Sequence, residues 1–167
     1  KNNGYPLVLK ISSPDILHKT DIGGVIVDVK NSKEISEAYT KISKLAKTKK
    51  AEILIQKQEG GIEVIIGAKR DPVFGPVVMF GLGGIFAEVL KDVAFRLAPL
   101  SKKDAKKIIK EIKGYKILKG ERGQKSVNLL KLEEILLSLS DLITKEEKIK
   151  EIDLNPIMVD DKKAIVV

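Results

Sequence analysis

The stretch Gly75 to Leu100, GPVVMFGLGGIFAEVLKDVAFRLAPL, decides how the rest of the chain is read. Its apolar run Val77 to Phe80 has strand character and leads into the turn Gly81-Leu82-Gly83-Gly84. Backbone without Cβ atoms can approach a polyphosphate closely and aim its N–H groups at it. After Gly84 two readings stay open. Ile85, Phe86, Val89, Leu90 and Val93 suit one face of a helix, whereas Ile85–Leu90 and Val93–Leu97 around Lys91-Asp92 suit a hairpin.

On either side of it, Leu7–Ile11, Val25–Val29, Glu52–Lys57 and Glu63–Ala68 read as strands. Ser32 is expected to cap a helix whose apolar face is Ile35, Ala38, Tyr39, Ile42 and Leu45. Ser101 with Asp104 predicts the start of another, with Ile108, Ile109 and Ile112 on one side. Gly114 to Gln124 reads as a basic loop, and Leu129 to Ile143 as a helix with a leucine-rich core face. A last strand pair, Ile149–Val159 and Ala164–Val167, is joined across Asp160 to Lys163. The pattern is α+β, with two lobes expected to meet near Gln56 to Gly61, at about residues 1–57 and 58–167.

Several side chains on this framework carry chemistry. Lys10 lies in an apolar strand, where a lysine either snorkels to solvent or turns its ammonium into a polar cleft. There it would be a point-charge partner for phosphate. His18 is the only histidine, flanked by Asp15, Lys19 and Asp21 in a polar loop. A neutral imidazole is a competent phosphoryl acceptor, although a lone loop histidine is also commonly just exposed. Gln56-Lys57-Gln58 ends a strand at the lobe connection, and Glu63 opens the next. Asp153 and Asn155 stand two apart on a strand and so share a face. Hard oxygen ligands on one face suit Mg²⁺ bound together with phosphates, though Asp-Leu-Asn-Pro can equally be a plain strand end.

Composition bounds the function. With 167 residues, 43% hydrophobic and 32% charged, the chain has the make-up of a globular domain or two small lobes. Cysteine is absent, which excludes thiolate catalysis and disulfide scaffolding; no membrane-length apolar run or signal-like opening is present, so a cytoplasmic location is expected. The net charge of +8 is interleaved with glutamates along helical faces, the pattern of a solvated surface. With aromatics at 4%, a base-stacking platform for nucleic acid is not expected. Lys1 opens without a methionine and Val167 ends inside an apolar run, so a piece of a longer polypeptide is expected.

Taken together, six ordered segments resemble one family. They are Tyr5-Pro-Leu-Val-Leu-Lys10-Ile, Asp15-Ile-Leu-His18-Lys-Thr-Asp21-Ile-Gly-Gly24, Glu63-Val-Ile-Ile-Gly67, Asp71-Pro-Val-Phe-Gly-Pro76, Phe80-Gly-Leu-Gly-Gly-Ile85 and Asp153-Leu-Asn-Pro156. They are similar to the ATP-grasp subunit or domain of ADP-forming acetyl-CoA synthetases, relatives of succinyl-CoA synthetase. The resemblance implies an ATP-grasp fold, two α/β lobes enclosing a nucleotide cleft, here without the family's preceding small lobe. It implies acyl-CoA + ADP + phosphate ⇌ acid + CoA + ATP through phosphohistidine, with ATP or ADP as substrate and Mg²⁺ as cofactor. A CoA-binding alpha subunit or domain would carry the principal phosphohistidine.

By the same resemblance Lys10 is a phosphate contact, Gln56, Lys57 and Gln58 form the adenine-reading edge, and Glu63 is the nucleotide-site glutamate. Gly83 and Gly84 belong to the phosphate-facing turn. Asn155 would bind Mg²⁺ with Asp153 beside it, and His18 would relay phosphate toward ADP. The hairpin is favoured after Gly84, placing Glu88 and Arg96 near the phosphates. Two departures stand out: Lys57 occupies a place where glutamate is common, and a further acidic metal ligand is expected beyond Val167. The alternatives are an ATP-grasp domain of a regulatory acyltransferase fusion and a basic, non-enzymatic polyanion-binding module.

Overall fold

The computed structural model describes residues 4–16, 19–49, 51–84, 91–120 and 125–167. The chain divides into two compact units, Lys1–Gln58 and Glu59–Val167. In the first, strands β1 (Leu7–Ser12), β2 (Val25–Val29) and β3 (Glu52–Lys57) form an antiparallel sheet in the order β2-β1-β3. Helix α1 (Ser32–Lys49) packs on one face of it. Alternation along β1 sends Leu7, Leu9 and Ile11 into that core with Ile16, Val29, Ala38 and Ile42. Lys10 is left on the other face, opposite Leu54 and Val25.

The cap of α1 differs from the sequence reading. Asn31, not Ser32, accepts from the backbone N–H groups of Lys33 (3.1 Å) and Glu34 (3.0 Å), while Glu34 accepts from Lys30 N at 2.7 Å. Asparagine serves as well as serine here, because either oxygen satisfies an orphan N–H of the first turn.

The second unit is a five-stranded antiparallel sheet in the order β6-β5-β4-β7-β8. Its strands are β4 (Ile62–Asp71), β5 (Gly75–Leu82), β6 (Val93–Leu97), β7 (Glu151–Val159) and β8 (Ala164–Val166). Helices α2 (Lys102–Glu111) and α4 (Leu129–Lys145) pack on it. Val64, Ile66 and Ala68 of β4 meet Val78, Phe80 and Leu82 of β5 and Leu132, Leu136 and Ile143 of α4 in the larger core. Each fully buried Val, Leu, Ile or Phe side chain among them contributes about 1.5–3 kcal/mol of transfer free energy. By alternation Glu63, Ile65 and Gly67 face away from that core, together with Met79 and Gly81 of β5.

Three features of this unit depart from expectation. Strand β5 runs on through Gly81 and Leu82, so the turn itself starts at Gly83. Gly81 sits in the ladder opposite Val93, where a Cβ would lie 2.7 Å from Val93 Cγ1 and 2.9 Å from Asp92 O. The segment read as a loop from Gly114 contains a short helix, α3 (Tyr115–Lys119). Its start is held by the buried Asp92 carboxylate, which accepts from Lys113 N and Gly114 N at 2.6 Å each. Val93–Leu97 is a strand, as the hairpin reading requires, while 85–90 lie outside the described residues.

Candidate functional site

Glu63 and the glycine turn form one structural piece. Gly83 N donates to Glu63 O at 2.7 Å, and a Cβ on Gly83 would fall 2.8 Å from Glu63 Cβ and 3.1 Å from its carbonyl carbon. Gly84 follows with φ +57, and a Cβ there would stand 3.2 Å from Glu63 Oε2. Only glycine allows the turn to lie this close to the glutamate in this conformation. A cavity of 420 Å³ opens beside it, lined by Gly61, Ile62, Glu63, Leu82, Gly83, Gly84 and Ile117. The structure thus brings together three of the sequence-predicted positions, Glu63, Gly83 and Gly84.

Asp153 and Asn155 join the same unit through strand pairing. Gly67 of β4 stands opposite Asp153, and Ile66 opposite Leu154. The register then shifts between Val64 and Ile66, so that β7 carries one extra residue at Asn155-Pro156, opposite Ile65. Asp153 and Asn155 flank Leu154, which packs against the core, and both are exposed. Their side chains therefore share the sheet face of Glu63. Ile65 is two residues from Glu63, or about 7 Å along the strand. Glu63, Asn155 and Asp153 thus line up in successive rows. Among the described residues none of these three side chains has a hydrogen-bond or ion-pair partner.

This arrangement fits a hard divalent cation held jointly with a ligand. Among the described residues no group of three or more His, Cys, Asp or Glu could hold a metal alone. Two unpartnered oxygen donors on one strand face suit Mg²⁺, which keeps several waters and takes substrate phosphates as its remaining ligands.

Other predicted positions are placed differently. Arg96 pairs across β6 with Val78, a residue of the helix-covered core, and makes an ion pair with Glu111 of α2. The structure does not bring it together with Glu63, Asn155 and Asp153. Lys10 and Gln56 belong to the first unit and share the sheet face that α1 leaves uncovered. Partial burial, with repulsion from Lys19, holds the Lys10 ammonium below its ordinary range. Lys57 is exposed at the end of β3. Gln58 is occupied structurally. Its N–H donates to Pro6 O at 2.9 Å, and its Oε1 accepts from Asp28 N at 2.6 Å, where Asp28 has φ 64. His18 and Glu88 lie outside the described residues.

Sequence reasoning missed Gly61, Ile62 and Ile117, which line the same cavity as Glu63. The Gly60-Gly61 pair was a usable signal, since Gly61 has φ +129 and a Cβ there would lie 2.4 Å from Val159 O. Ile117 gave none, because α3 is set by a contact with Asp92 from far up the chain.

Comparison with known proteins places this geometry. The family model of the ATP-grasp domain matches residues 1–167. The beta subunit of ADP-forming acetate–CoA ligase I from Pyrococcus furiosus is 49% identical over 170 residues, which cover 98% of this chain and 73% of that subunit. The ADP-forming 4-hydroxybutyrate–CoA ligase of Nitrosopumilus maritimus is 48% identical over 168 residues, covering 97% of this chain but 24% of that protein. The chain therefore spans about three quarters of the first relative and about a quarter of the second. Among solved structures, dinucleotide-forming acetyl-coenzyme A synthetase 1 of Candidatus Korarchaeum cryptofilum, in complex with coenzyme A, Ca-AMPCP and HgCl⁺, superposes with a TM-score of 0.90 at 44% identity. That match covers 99% of this chain and 75% of the other. The same synthetase with coenzyme A and Mg-AMPPCP, its phosphohistidine segment pointing towards the nucleotide-binding site, gives 0.83 at 43% identity over 98% of this chain and 74% of that one. The match of the family model over the whole chain, with these relatives, identifies the chain as a member of the ATP-grasp domain family found in the beta subunit of ADP-forming acetyl-CoA synthetases.

Proposed function

We propose that this chain is the nucleotide-binding, phosphoryl-transferring component of an ADP-forming acyl-CoA synthetase of the acetyl-CoA type, exchanging phosphate between phosphohistidine and ADP or ATP with Mg²⁺. The observation that carries the reading is the alignment of Glu63, Asn155 and Asp153 on one sheet face, unpartnered among the described residues, beside the Gly83-Gly84 turn. Asn155 and Asp153 would hold Mg²⁺, which when bound would supply positive charge against the phosphates. The turn amides supply fixed positive ends for the same phosphates, with little reorganisation during the transfer; the family resemblance makes Lys10 a phosphate contact. Glu63 accepts from ribose hydroxyls. In the transfer the N–P bond of the phosphohistidine breaks and its electron pair returns to the imidazole. A β-phosphate oxygen of ADP forms the new O–P bond, and reversal regenerates ADP. His18 acts as the relay imidazole, and the CoA-binding alpha subunit or domain supplies the principal phosphohistidine. The solved synthetase with its phosphohistidine segment directed at a nucleotide site supports this division of labour.

The decisive experiment is a thermal-shift titration of the chain with ADP and ATP, with and without Mg²⁺, against mixed-sequence RNA. A saturable, Mg²⁺-dependent nucleotide shift is expected. Stabilisation by RNA with a steep salt dependence and no nucleotide effect would replace this reading with a polyanion-binding module. In the complete enzyme, His18→Ala is expected to abolish transfer to ADP while leaving the melting temperature unchanged; normal transfer would remove the relay.

A further inference from the structure

Among the described residues Asp92 is the only buried carboxylate, 5% exposed, and no ion pair offsets its charge. A buried charge is costly unless hydrogen bonds satisfy it. Each of its oxygens has one donor: Lys113 N gives to Oδ1 and Gly114 N to Oδ2, both at 2.6 Å. The charge is therefore satisfied only while residues 113 and 114 keep their place. They are the entry to α3, whose five residues are too few to hold a helix in water and which no side chain caps. Its place comes from its tethers. Asp92 holds the start, Leu118 is fully buried in the larger core, and Val127 N donates to Leu118 O at 2.9 Å. Within the turn Ile117 N donates to Gly114 O at 2.9 Å. Gly114 also lies against Leu82, since a Cβ on it would collide with Leu82 Cδ1 and stand 3.0 Å from Asp92 Oδ2. With φ −77 any residue could adopt its backbone, so glycine is needed there for space.

Leu82 and Ile117, the two side chains set by this arrangement, both line the cavity beside Glu63 and the Gly83-Gly84 turn. Leu82 is 1% exposed and backs the wall, whereas Ile117, at 36%, still offers apolar surface to a ligand. We infer that Asp92 is a positioning residue for the nucleotide site. It touches no ligand; by fixing the start of α3 it sets Ile117 as an apolar wall against the carbon face of the nucleoside. The inference rests on the function proposed above, in which Glu63 holds the ribose of that nucleoside. A carboxylate and an aliphatic wall lining one cavity suit a sugar, which carries hydroxyls at its edge and C–H groups on its faces.

The test measures Mg·ADP dissociation constants by calorimetry on the full chain, well below the melting temperature of every variant, where lost stability alone leaves them unchanged. Ile117→Ala should weaken binding roughly fivefold, the loss expected when part of one aliphatic contact goes. Asp92→Asn keeps one accepting oxygen but turns an NH₂ group on the other N–H, so a loss of similar size is expected. Because Asp92 acts through Ile117, the double variant should bind no worse than the weaker single variant. Independent effects would instead multiply to about 25-fold. Wild-type affinity in either single variant, or multiplied losses in the double, would overturn the inference while leaving nucleotide binding standing. Should Asp92→Asn fail to fold, hydrogen exchange on the wild-type chain decides the same link. Mg·ADP should slow exchange at the Lys113 and Gly114 N–H groups, although neither residue lines the cavity. Unchanged exchange at both would overturn the role of Asp92. If the wild-type chain binds no Mg·ADP, the proposed function fails first, and this inference with it.

Discussion

Glycine at 83 and glutamate at 63 work as a pair, so their substitutions should separate packing from chemistry. A methyl group on Gly83 meets the Glu63 backbone, which cannot swing aside as a side-chain tip would. Gly83→Ala should therefore cost about 1–3 kcal/mol and lower the melting temperature even without nucleotide. Asp153→Asn and Asn155→Ala should do the opposite. Both side chains are exposed and, among the described residues, unpartnered, so stability should change by no more than about 0.5 kcal/mol. The Mg²⁺ concentration needed for nucleotide stabilisation should instead rise severalfold, read from melting curves at fixed ADP. Unchanged Mg²⁺ dependence in both variants would remove the metal from β7. The Asp153–Asn155 pair and the glycine turn were legible in the sequence because strand alternation and missing Cβ atoms are local properties. The occupation of Gln58 was not legible, since it depends on Asp28 being brought across the sheet in a left-handed conformation.

At the level of elements, three aspartates hold turns or caps by accepting backbone N–H groups. Asp71 holds the β4–β5 tip, Asp104 closes the cap of α2 with Ser101, and Asp160 accepts from Lys162 N and Lys163 N at 2.8 Å each between β7 and β8. The backbone donors hold Asp71 and Asp160, and the Ser101 hydroxyl followed by its backbone N–H holds Asp104, below the ordinary value of 3.8. A depressed folded-state value means the stabilisation is complete above 3.8 and is lost as pH falls through the folded values. Asp160→Asn keeps an accepting oxygen but cannot titrate. Its denaturation midpoint should fall less steeply below pH 3.8 than that of wild type, measured by urea titration across the acid range. Ser101→Ala should cost about 1 kcal/mol at neutral pH by breaking the reciprocal cap. That cap could be read directly from Ser101 and Asp104, three residues apart. Helix α3 could not, because Asp92 fixes its start from 22 residues away, and local periodicity holds no record of such a contact.

The two units have separate cores of unequal size, and across the full chain this sets where opening should be easiest. The first closes over Leu9, Ile11 and Ile42 with a single helix on three strands; the second buries β4 between β5 and β7 beneath α4. A smaller core buries a smaller share of its apolar surface and supports less protection against local unfolding. Hydrogen exchange should accordingly be slowest in β4 and faster in β1, although both are central strands. Ligand linkage then tests the assignment of the site. A nucleotide bound at 100 times its dissociation constant stabilises the states that bind it by about 2.7 kcal/mol. Mg·ADP should slow exchange most at the Gly83-Gly84 turn, Glu63 and the Asn155 bulge, because openings there release the ligand. Lys10 is proposed as a phosphate contact too, so added protection of β1 is expected to be smaller. Protection gained in β1 with none in β4 and β7 would move the nucleotide phosphates away from Asp153 and Asn155. Equal gains throughout would mean that the two cores open together, so that separate core size no longer determines where the chain unfolds.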